Sequence, residues 1–400
     1  MPAEPSRVEN QARTARSEGV ISFDYEPRTR VVFGAGKLTD LGTLARELGA
    51  RRVLLVTDRG LAKAGHPQRG IALLEQAGLT VTVFDDVQEN PTSDDVEQGL
   101  AVARSAEIDL LIGLGGGSSM DCAKGINFLL TNGGVMEDYW GTGKAKLPML
   151  PMIAVPTTAG TGSEAQSYAL IANTRTHMKM ACGDPKAACK IALLDPELTL
   201  SMPPSVTTAS GIDAVSHAVE SYVCTRRTPV SMLFAEQAFK LLSRGLPAVI
   251  RNPGDVDSRA MMLLGSHLAG AAIENSMLGA THALVNPLSA HCGLVHGVAI
   301  GVMLPHVVRY NGGAVGELYG RLAAAAELCD ARDPNAAELL AARLRTLVES
   351  AGMPTTLSAC GVDRDVIPRM AADAAKQWTG TFNPRPVAEP DFRSLYEEAL

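Results

Sequence analysis

The sequence predicts a two-domain α/β protein: a domain built on a parallel sheet, followed by an all-helical domain. Short apolar runs of strand length alternate with helical patterns through the first half of the chain. These runs are continuous, as expected for parallel strands that helices cover on both faces. After residue 204 only helical periodicity remains. A chain of 400 residues also exceeds the size at which one core usually divides. We therefore expect domains at residues 21–204 and 205–400.

Residues 1–20 are polar and are expected to form a flexible N-terminal arm. The strands and helices of the fold can be assigned to segments of the chain that follows. The predicted strands are Arg30–Phe33, Arg52–Val56, Val81–Phe84, Leu110–Leu114, Met152–Val155 and Ile191–Leu194. The helical patterns between them are Leu38–Leu48, Ile71–Ala77 and Asp94–Ala106, which gives the βαβ order of a dinucleotide-binding domain. The second domain is predicted to contain helices near 205–225, 228–250, 257–290, 296–309, 314–330, 335–352 and 363–375, and a short C-terminal helix.

Composition excludes several classes of function. The net charge of −7 and the pI near 5.7 argue against nucleic acid as a partner. No apolar run reaches the roughly 18 residues of a membrane span, and residues 1–20 lack the apolar core of a signal peptide. The seven cysteines form no CxxC motif and are expected to be reduced thiols. These features predict a soluble, cytoplasmic protein.

A glycine-rich stretch follows the fourth predicted strand and opens a helix. Gly115, Gly116, Gly117 and Ser118 lie at this junction. Glycines allow the backbone to approach a diphosphate, and the helix N-terminus offers free N–H groups to it. A tight strand-to-helix turn without a ligand is the alternative interpretation.

A second loop with small hydroxyl residues and glycines follows the fifth predicted strand, at Pro156–Glu164. It is either a second wall of a nucleotide groove or an ordinary turn. Because ligands collect at the carboxyl ends of parallel strands, two such loops favour the groove. Asp58 ends the second strand, where an acid can bind a ribose hydroxyl and repel a 2′-phosphate, favouring NAD over NADP. Capping the next helix is an equally good role for Asp58.

The helical domain contains a candidate metal site. Asp213 and His217 are four residues apart on a predicted helix, so their side chains share one face. His282 lies in what we predict to be the continuation of a long helix, and His296 opens the next one. Three imidazoles and one carboxylate suit Fe(II) or Zn(II), with a position left open for substrate.

The other histidines are not assigned to this site. His66 and His177 lie in polar, loop-like surroundings and are expected at the surface, whereas the apolar run around His267 predicts a core residue. His306 has no predicted role. His291 is off the helical face of its neighbours and is a weak candidate for the site.

Several motifs in order resemble the iron-containing (group III) alcohol dehydrogenases, the family of lactaldehyde reductase and 1,3-propanediol dehydrogenase. The resemblance runs from about Phe33 to Arg385. The motifs are Phe33-Gly34-Ala35-Gly36, Gly115–Ser118 with Asp121 and Lys124, Pro156–Glu164, Gly211–Glu220, Thr281–Gly297 and Asn383-Pro384-Arg385. The resemblance implies a dehydroquinate-synthase-like architecture with the active site in the cleft between the domains, and a homodimer or larger homo-oligomer.

The resemblance also implies roles for individual residues. It assigns metal ligation to Asp213, His217, His282 and His296. It places the diphosphate on the glycine-rich stretch and the nicotinamide beside Thr157–Thr161. The implied cofactor-binding residues are Asp58, Asn90, Gly115, Gly116, Gly117, Ser118, Asp121, Thr157, Thr158, Thr161 and Lys179.

The chain departs from the family pattern near the metal. Family members usually carry a histidine four residues after the third ligand, and this chain has Asn286 there. Asparagine forms hydrogen bonds but does not titrate, so it can act beside the site but cannot relay a proton. Ile273 and Glu274 are also unusual, which leaves the substrate pocket open.

We expect a metal-dependent oxidoreductase that transfers a hydride between an alcohol, or its aldehyde or ketone, and NAD(H). The metal, Fe(II) or alternatively Zn(II), would act as a Lewis acid on the substrate oxygen. The alternatives are a maleylacetate-reductase-like or hydroxyacid-oxoacid-transhydrogenase-like member, a dehydroquinate-synthase-type lyase, and a non-catalytic module that keeps the scaffold.

Overall fold

A computed structural model describes residues 21–176 and 178–400 of the chain. The strands are β1 (Arg30–Phe33), β2 (Arg52–Val56), β3 (Thr80–Phe84), β4 (Leu110–Gly115), β5 (Gly141–Thr142), β6 (Met152–Pro156), β7 (Tyr168–Ala172), β8 (Lys179–Gly183) and β9 (Ile191–Leu194). The helices are α1 (Leu41–Glu47), α2 (Arg59–Ala64), α3 (His66–Gln76), α4 (Ser93–Ser105), α5 (Gly117–Asn132), α6 (Pro204–Val223), α7 (Pro229–Arg251), α8 (Val256–Glu274), α9 (Ala280–Cys292), α10 (His296–Ala325), α11 (Ala336–Ser350), α12 (Ile367–Ala374) and α13 (Glu389–Ala399). The predicted arm at residues 1–20 and His177 lie outside the described residues.

A six-stranded parallel sheet forms the centre of the N-terminal half, in the order β1–β9–β6–β4–β2–β3. All six predicted strands belong to it, and β4 and β9 are buried along their whole length. Separate apolar cores cover its two faces, one built around Leu54 and Leu111 and the other around Val53 and Ile112. The predicted fold class is confirmed: a parallel α/β sheet precedes a helical half.

The direction in which strands are added reverses at β2. The chain places β3 on one side of β2 and then crosses to place β4 on the other. The crevice at the carboxyl ends of β2 and β4 is therefore the switch point at which open parallel sheets bind ligands. Asp58 and the glycine-rich stretch follow these two strands.

A small second sheet, in the order β5–β8–β7, was not predicted. Its strands are short or half exposed, and β7 alternates between buried and half-buried residues. Since β5 pairs with β8 over only two residues, periodicity in the sequence carries little signal for it. Strands β7 and β8 of this sheet follow the second predicted loop, and β8 begins with Lys179.

The long helix predicted at 257–290 is wrong. The structure has two helices, α8 and α9, separated at residues 275–279. Gly279 has a non-helical backbone, and the carboxylate of Glu220 accepts a hydrogen bond from the backbone N–H of Thr281 at 2.7 Å. A side chain from another helix therefore satisfies a free donor at the start of α9, which sequence periodicity does not reveal.

The helices at 296–309 and 314–330 form a single run, α10, with a non-helical residue at Val315. The N-terminus of α10 lies directly against α6. A Cβ atom added to Gly297 would press on the backbone carbonyl of Ala209 in α6. This close approach fixes the first turn of α10, and hence His296, relative to α6.

The contact between Gly297 and Ala209 predicts a stability effect. Gly297→Ala should lower the free energy of unfolding by about 1–3 kcal/mol, because the obstructing atoms belong to the backbone and cannot rotate away. Gly313→Ala is a matched control on the same helix, since nothing lies within 4 Å of the added Cβ atom. Urea denaturation should show a loss for the first variant and none for the second; equal midpoints would contradict the proposed close packing.

Candidate metal and nucleotide site

The α6 helix presents three acidic or imidazole side chains on one face. Asp213, His217 and Glu220 are spaced by four and three residues, so successive side chains stack along the helix. All three residues are buried. Small neighbours keep the helix regular at this depth, and the Ser216 and Ser221 hydroxyls donate back to α6 carbonyls.

Three imidazole side chains from three helices converge on one carboxylate oxygen, that of Asp213. His217 comes from α6, His282 from the first turn of α9, and His296 is the first residue of α10. Their Nε2 atoms lie 3.3, 3.6 and 3.6 Å from Asp213 Oδ1, respectively. We call these four residues the metal cluster. The structure brings together every residue that the sequence predicted as a metal ligand.

The metal cluster has polar atoms that the protein leaves unpaired. Asp213 Oδ1 and His282 Nε2 are buried and lack a hydrogen-bond partner among the described residues. A buried carboxylate oxygen without a donor is costly, and ring nitrogens grouped around it suit a shared cation. The side chains of Asp213, His217 and His282 are at most 10% exposed, whereas that of His296 is 38% exposed. The metal cluster therefore opens toward solvent beside His296.

Glu220 is a site residue to which the sequence analysis gave no role. Its Oε2 lies 2.5 Å from His282 Nδ1, on the side of the ring that faces away from Asp213. A carboxylate at this position fixes the proton on Nδ1 and leaves Nε2 free to bind a metal. The signal was present in the sequence, because Glu220 continues the helical face of Asp213 and His217.

The pKa values of His217 and His282 shift in opposite directions. Burial lowers the pKa of His217 and thus favours the neutral ring that metal ligation requires. Burial also opposes charge on His282, but the neighbouring Glu220 and Asp213 outweigh it and raise the pKa of His282 to about 9. The two buried carboxylates thus create a strongly negative environment that attracts a cation or a proton.

The glycine-rich stretch adopts the strand–loop–helix geometry that phosphate binding needs. β4 ends at Gly115, and α5 starts at Gly117 with a bare N-terminus, since Gly116 supplies no side-chain cap. A Cβ atom on Gly117 would lie 2.8 Å from Thr161, so glycine is required for the close packing of the second loop. The two loops predicted as walls of one groove are therefore in contact.

Asp58 caps the following helix and also faces the glycine-rich stretch. Its Oδ1 accepts the N–H of Leu61 at 2.8 Å, which makes Asp58 the N-cap of α2. Its Oδ2 points toward the glycine-rich stretch, 3.6 Å from where a Cβ of Gly115 would lie. The carboxylate therefore faces the switch-point crevice while it caps the helix.

Asn90, Ser118 and Lys179 form a polar group at the outer edge of this groove. The Asn90 N–H donates to Ser118 Oγ at 3.3 Å, and Lys179 Nζ donates to Asn90 Oδ1 at 3.3 Å. Asn90 has a left-handed backbone, with φ of 56°. The exposed Lys179 ammonium is available to an anionic ligand in the groove.

Asp121, which the resemblance placed with the cofactor, contacts the second loop. It is buried, and its Oδ1 accepts a hydrogen bond from Ser163 Oγ at 2.6 Å. Lys124, which is fully buried, donates to the same hydroxyl at 2.9 Å and to the Ser163 carbonyl at 2.7 Å. Burial raises the pKa of Asp121. Asp121 and Lys124 thus fix the second loop from beneath.

The second loop, residues 157–164, which we call the threonine loop, joins the groove to the metal cluster. Thr157 is buried and Thr158 half-buried, whereas Thr161 is exposed beside the glycine-rich stretch. On its other side, Gly160 packs against Ser210, three residues before Asp213 on α6. A single short loop therefore touches both candidate sites.

The remaining predictions have mixed outcomes. His267 is buried and pairs with Glu164 at 3.3 Å, as expected for a core histidine. The surface prediction for His66 is wrong, because its ring is buried and its Nε2 bonds to Ser201 Oγ at 2.9 Å. His291 bonds to Asp373 at 2.8 Å. Glu274 accepts hydrogen bonds from the N–H and hydroxyl of Ser167.

Comparison with known proteins agrees with this geometry. Residues 27–196 match the family model for iron-containing alcohol dehydrogenase, and residues 207–400 match that for the C-terminal part of the Fe-containing alcohol dehydrogenase family. The chain belongs to the iron-containing alcohol dehydrogenase family. It is an oxidoreductase that exchanges a hydride between an alcohol or aldehyde and NAD(H).

Individual relatives extend over almost the whole chain. The NAD-dependent methanol dehydrogenase of Bacillus methanolicus is 34% identical over 92% of this chain and 97% of its own. The 1,3-propanediol dehydrogenase of Klebsiella pneumoniae is 34% identical over 94% and 99%. A crystal structure of 1,3-propanediol oxidoreductase superposes with a TM-score of 0.92 at 34% identity, covering 95% of this chain and 100% of that one.

The contact between Glu220 and His282 predicts a loss of metal affinity on mutation. Glu220→Gln should weaken Fe(II) or Zn(II) binding about 10- to 100-fold, because the amide no longer holds His282 in its metal-binding tautomer. Glu164→Gln is a matched control that alters a buried carboxylate–histidine pair outside the metal cluster. Metal titration followed by elemental analysis should separate the two variants, and equal affinities would contradict the role given to Glu220.

Proposed function

We propose that this alcohol dehydrogenase binds one divalent cation at the metal cluster and NAD in the groove at the switch point. The observation that carries the proposal is the convergence of three imidazole Nε2 atoms on the unpaired, buried Asp213 Oδ1. The donor set of three nitrogens and one carboxylate suits Fe(II), with Zn(II) as the alternative. The metal would supply a Lewis acid for the alcohol oxygen, and NAD the hydride acceptor.

The side chains of the protein supply the positioning and the charge. Asp213, His217, His282 and His296 hold the cation, and Glu220 orients one of these rings. Since three of these four side chains are buried and that of His296 is 38% exposed, the metal cluster is open to water on the side of His296 in the described chain. Exclusion of water on the other sides strengthens the electrostatic interactions that polarise an alcohol.

The dinucleotide would lie along the carboxyl edge of the sheet. We assign the diphosphate to Gly115, Gly116, Gly117 and Ser118, at the uncapped N-terminus of α5. The nicotinamide end would lie beside the threonine loop, at Thr157, Thr158 and Thr161. The adenosine end would lie by Asp58 and Asn90, with Lys179 near the phosphates. Asp121 acts indirectly, by holding Ser163.

Two further proposals concern the setting of the enzyme. No described helix is long and apolar enough to cross a membrane. We propose that the enzyme acts in the cytoplasm, in keeping with its seven unpaired cysteines, which are reduced thiols in this structure.

We also propose a homodimer or larger homo-oligomer. In the described chain the outer edge of β1 has no partner strand, and Val31 and Phe33 are 43% and 39% exposed. Light scattering on the purified protein would test the assembly, and a monomeric mass would exclude it.

A coupled assay tests the proposed activity. The protein with added Fe(II) or Zn(II) should reduce NAD with short primary alcohols or diols, and oxidise NADH with the matching aldehydes. Activity should disappear after chelation and return with the metal. His282→Ala should lose both tight metal binding and turnover. Full activity after complete metal removal would exclude the proposed Lewis acid, and no turnover with any alcohol or aldehyde would exclude the activity.

Asp58 predicts the choice between NAD and NADP. Asp58→Asn keeps a side chain that can cap α2 but removes the charge, so repulsion of a 2′-phosphate on the order of 1–4 kcal/mol should disappear. The ratio of kcat/KM for NADP to that for NAD should rise about tenfold or more. Asp109→Asn, at the opposite edge of the same sheet, gives the same charge change as a control. An unchanged ratio in Asp58→Asn would place the adenosine ribose elsewhere.

A further inference from the structure

The α9 helix is buried around the metal-binding His282 except at one position. From Ala280 to Leu288, every residue is buried apart from Asn286, which is half-buried. Asn286 follows His282 by four residues, so the two side chains lie on the same face, one turn apart. Asn286 therefore marks an opening in the packing around α9, and this opening lies one turn from His282 of the metal cluster.

The metal cluster is itself most exposed at a residue that follows α9 closely in the chain. His296, the most exposed member, follows α9 after a short connection at residues 293–295. Asn286 and His296 are both half-buried, whereas Asp213, His217 and His282 are buried. Asn286, one helical turn from His282, and His296, a member of the metal cluster, are therefore half-buried residues that a molecule approaching from solvent can meet.

Asn286 is paired with a second amide. Its Nδ2 donates to Gln377 Oε1 at 2.9 Å. Within the described chain, Asn286 Oδ1 and Gln377 Nε2 form no other hydrogen bond, and neither atom is sealed off from solvent. The pair thus leaves the acceptor Asn286 Oδ1 and the donor Gln377 Nε2 without a partner in the described chain, and neither amide carries a charge at any pH in the working range.

The surface next to this amide pair is aromatic. Trp378 follows Gln377 in the chain and is 44% exposed. Its ring stacks on Tyr168 of β7 at a centroid distance of 6.5 Å and meets Phe382 edge-on at 5.7 Å. Since Tyr168 belongs to the sheet-containing half and Trp378 to the helical half, these rings join the two halves beside the amide pair.

We propose that Asn286 and Gln377 form a specificity-determining amide pair that receives a second, uncharged hydroxyl group of the substrate. The inference rests on the proposed function, in which the first hydroxyl reaches the metal cluster. A hydroxyl both donates and accepts, so it matches the free acceptor of Asn286 and the free donor of Gln377. A methyl group at the same place would displace water from both amides without replacing the hydrogen bonds that the amides make to that water.

The experiment compares two alcohols of equal chain length, 1-propanol and 1,3-propanediol, with NAD and the metal-loaded enzyme. The readout is the ratio of kcat/KM for the diol to kcat/KM for the mono-alcohol. Asn286→Leu and Gln377→Met each remove one amide at nearly constant volume, and Gln377→Met leaves α9 untouched. Both should lower the ratio about tenfold or more, because the pair discriminates by hydrogen bonds that only the diol can form.

His291→Gln is the matched control. His291 also lies on α9 and also binds the following segment, through Asp373 at 2.8 Å, so its loss removes a similar tether without changing the amide pair. The ratio should stay at the wild-type value. A fall of equal size in this variant would show that the amides act only by holding α9 in place, and would overturn the inference.

The remaining outcomes are distinguishable from failure of the proposed function. Wild-type turnover together with an unchanged ratio in both amide variants overturns the inference alone. Wild-type protein that oxidises neither alcohol overturns the proposed function and the inference with it. A fall in kcat for both alcohols at a constant ratio would assign Asn286 to support of the metal cluster, and would also overturn the inference.

Discussion

One buried carboxylate oxygen, Asp213 Oδ1, governs the organisation of the helical half. Three imidazoles approach it within 3.6 Å, yet the protein supplies it with no hydrogen bond among the described residues. Glu220 adds a second buried carboxylate behind His282. Two buried carboxylates on one helix are costly unless positive charge balances them, and they raise the pKa of His282 for that reason. A divalent cation bound here would balance the charges and pair the unpaired atoms, which would account for the convergence of helices from distant parts of the chain.

The position of this centre relative to the sheet depends on the threonine loop. Lys124 and Asp121 of α5 hold Ser163 from the side of the sheet, and His267 of α8 holds Glu164 from the helical side. Gly160 meanwhile packs on α6 next to Asp213. The distance between a nicotinamide ring and a metal-polarised alcohol must be controlled closely for hydride transfer. A loop fixed from both halves of the molecule is suited to that task.

Close backbone contacts hold the helices that carry the metal cluster. Gly297 lies against Ala209 of α6, and Gly162 of the threonine loop lies against Gly270 of α8. In each case a side chain would separate the two segments. Such contacts place His296 and the threonine loop at short range from α6, and they leave the opening beside Asn286 as the part of the site that small changes can reshape.

The sequence by itself determined the fold class and most of the site. Continuous apolar runs identified all six strands of the parallel sheet, since strands buried on both faces need no polar alternation. Helical spacing placed Asp213 and His217 on one face, the segment around His282 and His296 offered two further imidazoles, and the family resemblance assigned metal ligation to the same four residues. The glycine-rich stretch and the threonine loop were also recognised, because ligands of parallel sheets collect at one edge.

The tertiary structure decided what depends on partners far apart in the chain. The end of α8 and the start of α9 could not be predicted, because Glu220 caps α9 from 61 residues away. The pairing of Glu220 with His282, 62 residues later, likewise appears only in the folded chain. The hydrogen bond between Asp121 and Ser163, 42 residues apart, is another contact that the sequence does not reveal. In the sequence, Asn286 stands out only because family members carry a histidine at its position. Its pairing with Gln377, 91 residues later, exists only in the folded chain. Local sequence patterns determine which face of a helix or strand a residue occupies. Only the packing of the folded chain determines which other residues it contacts there.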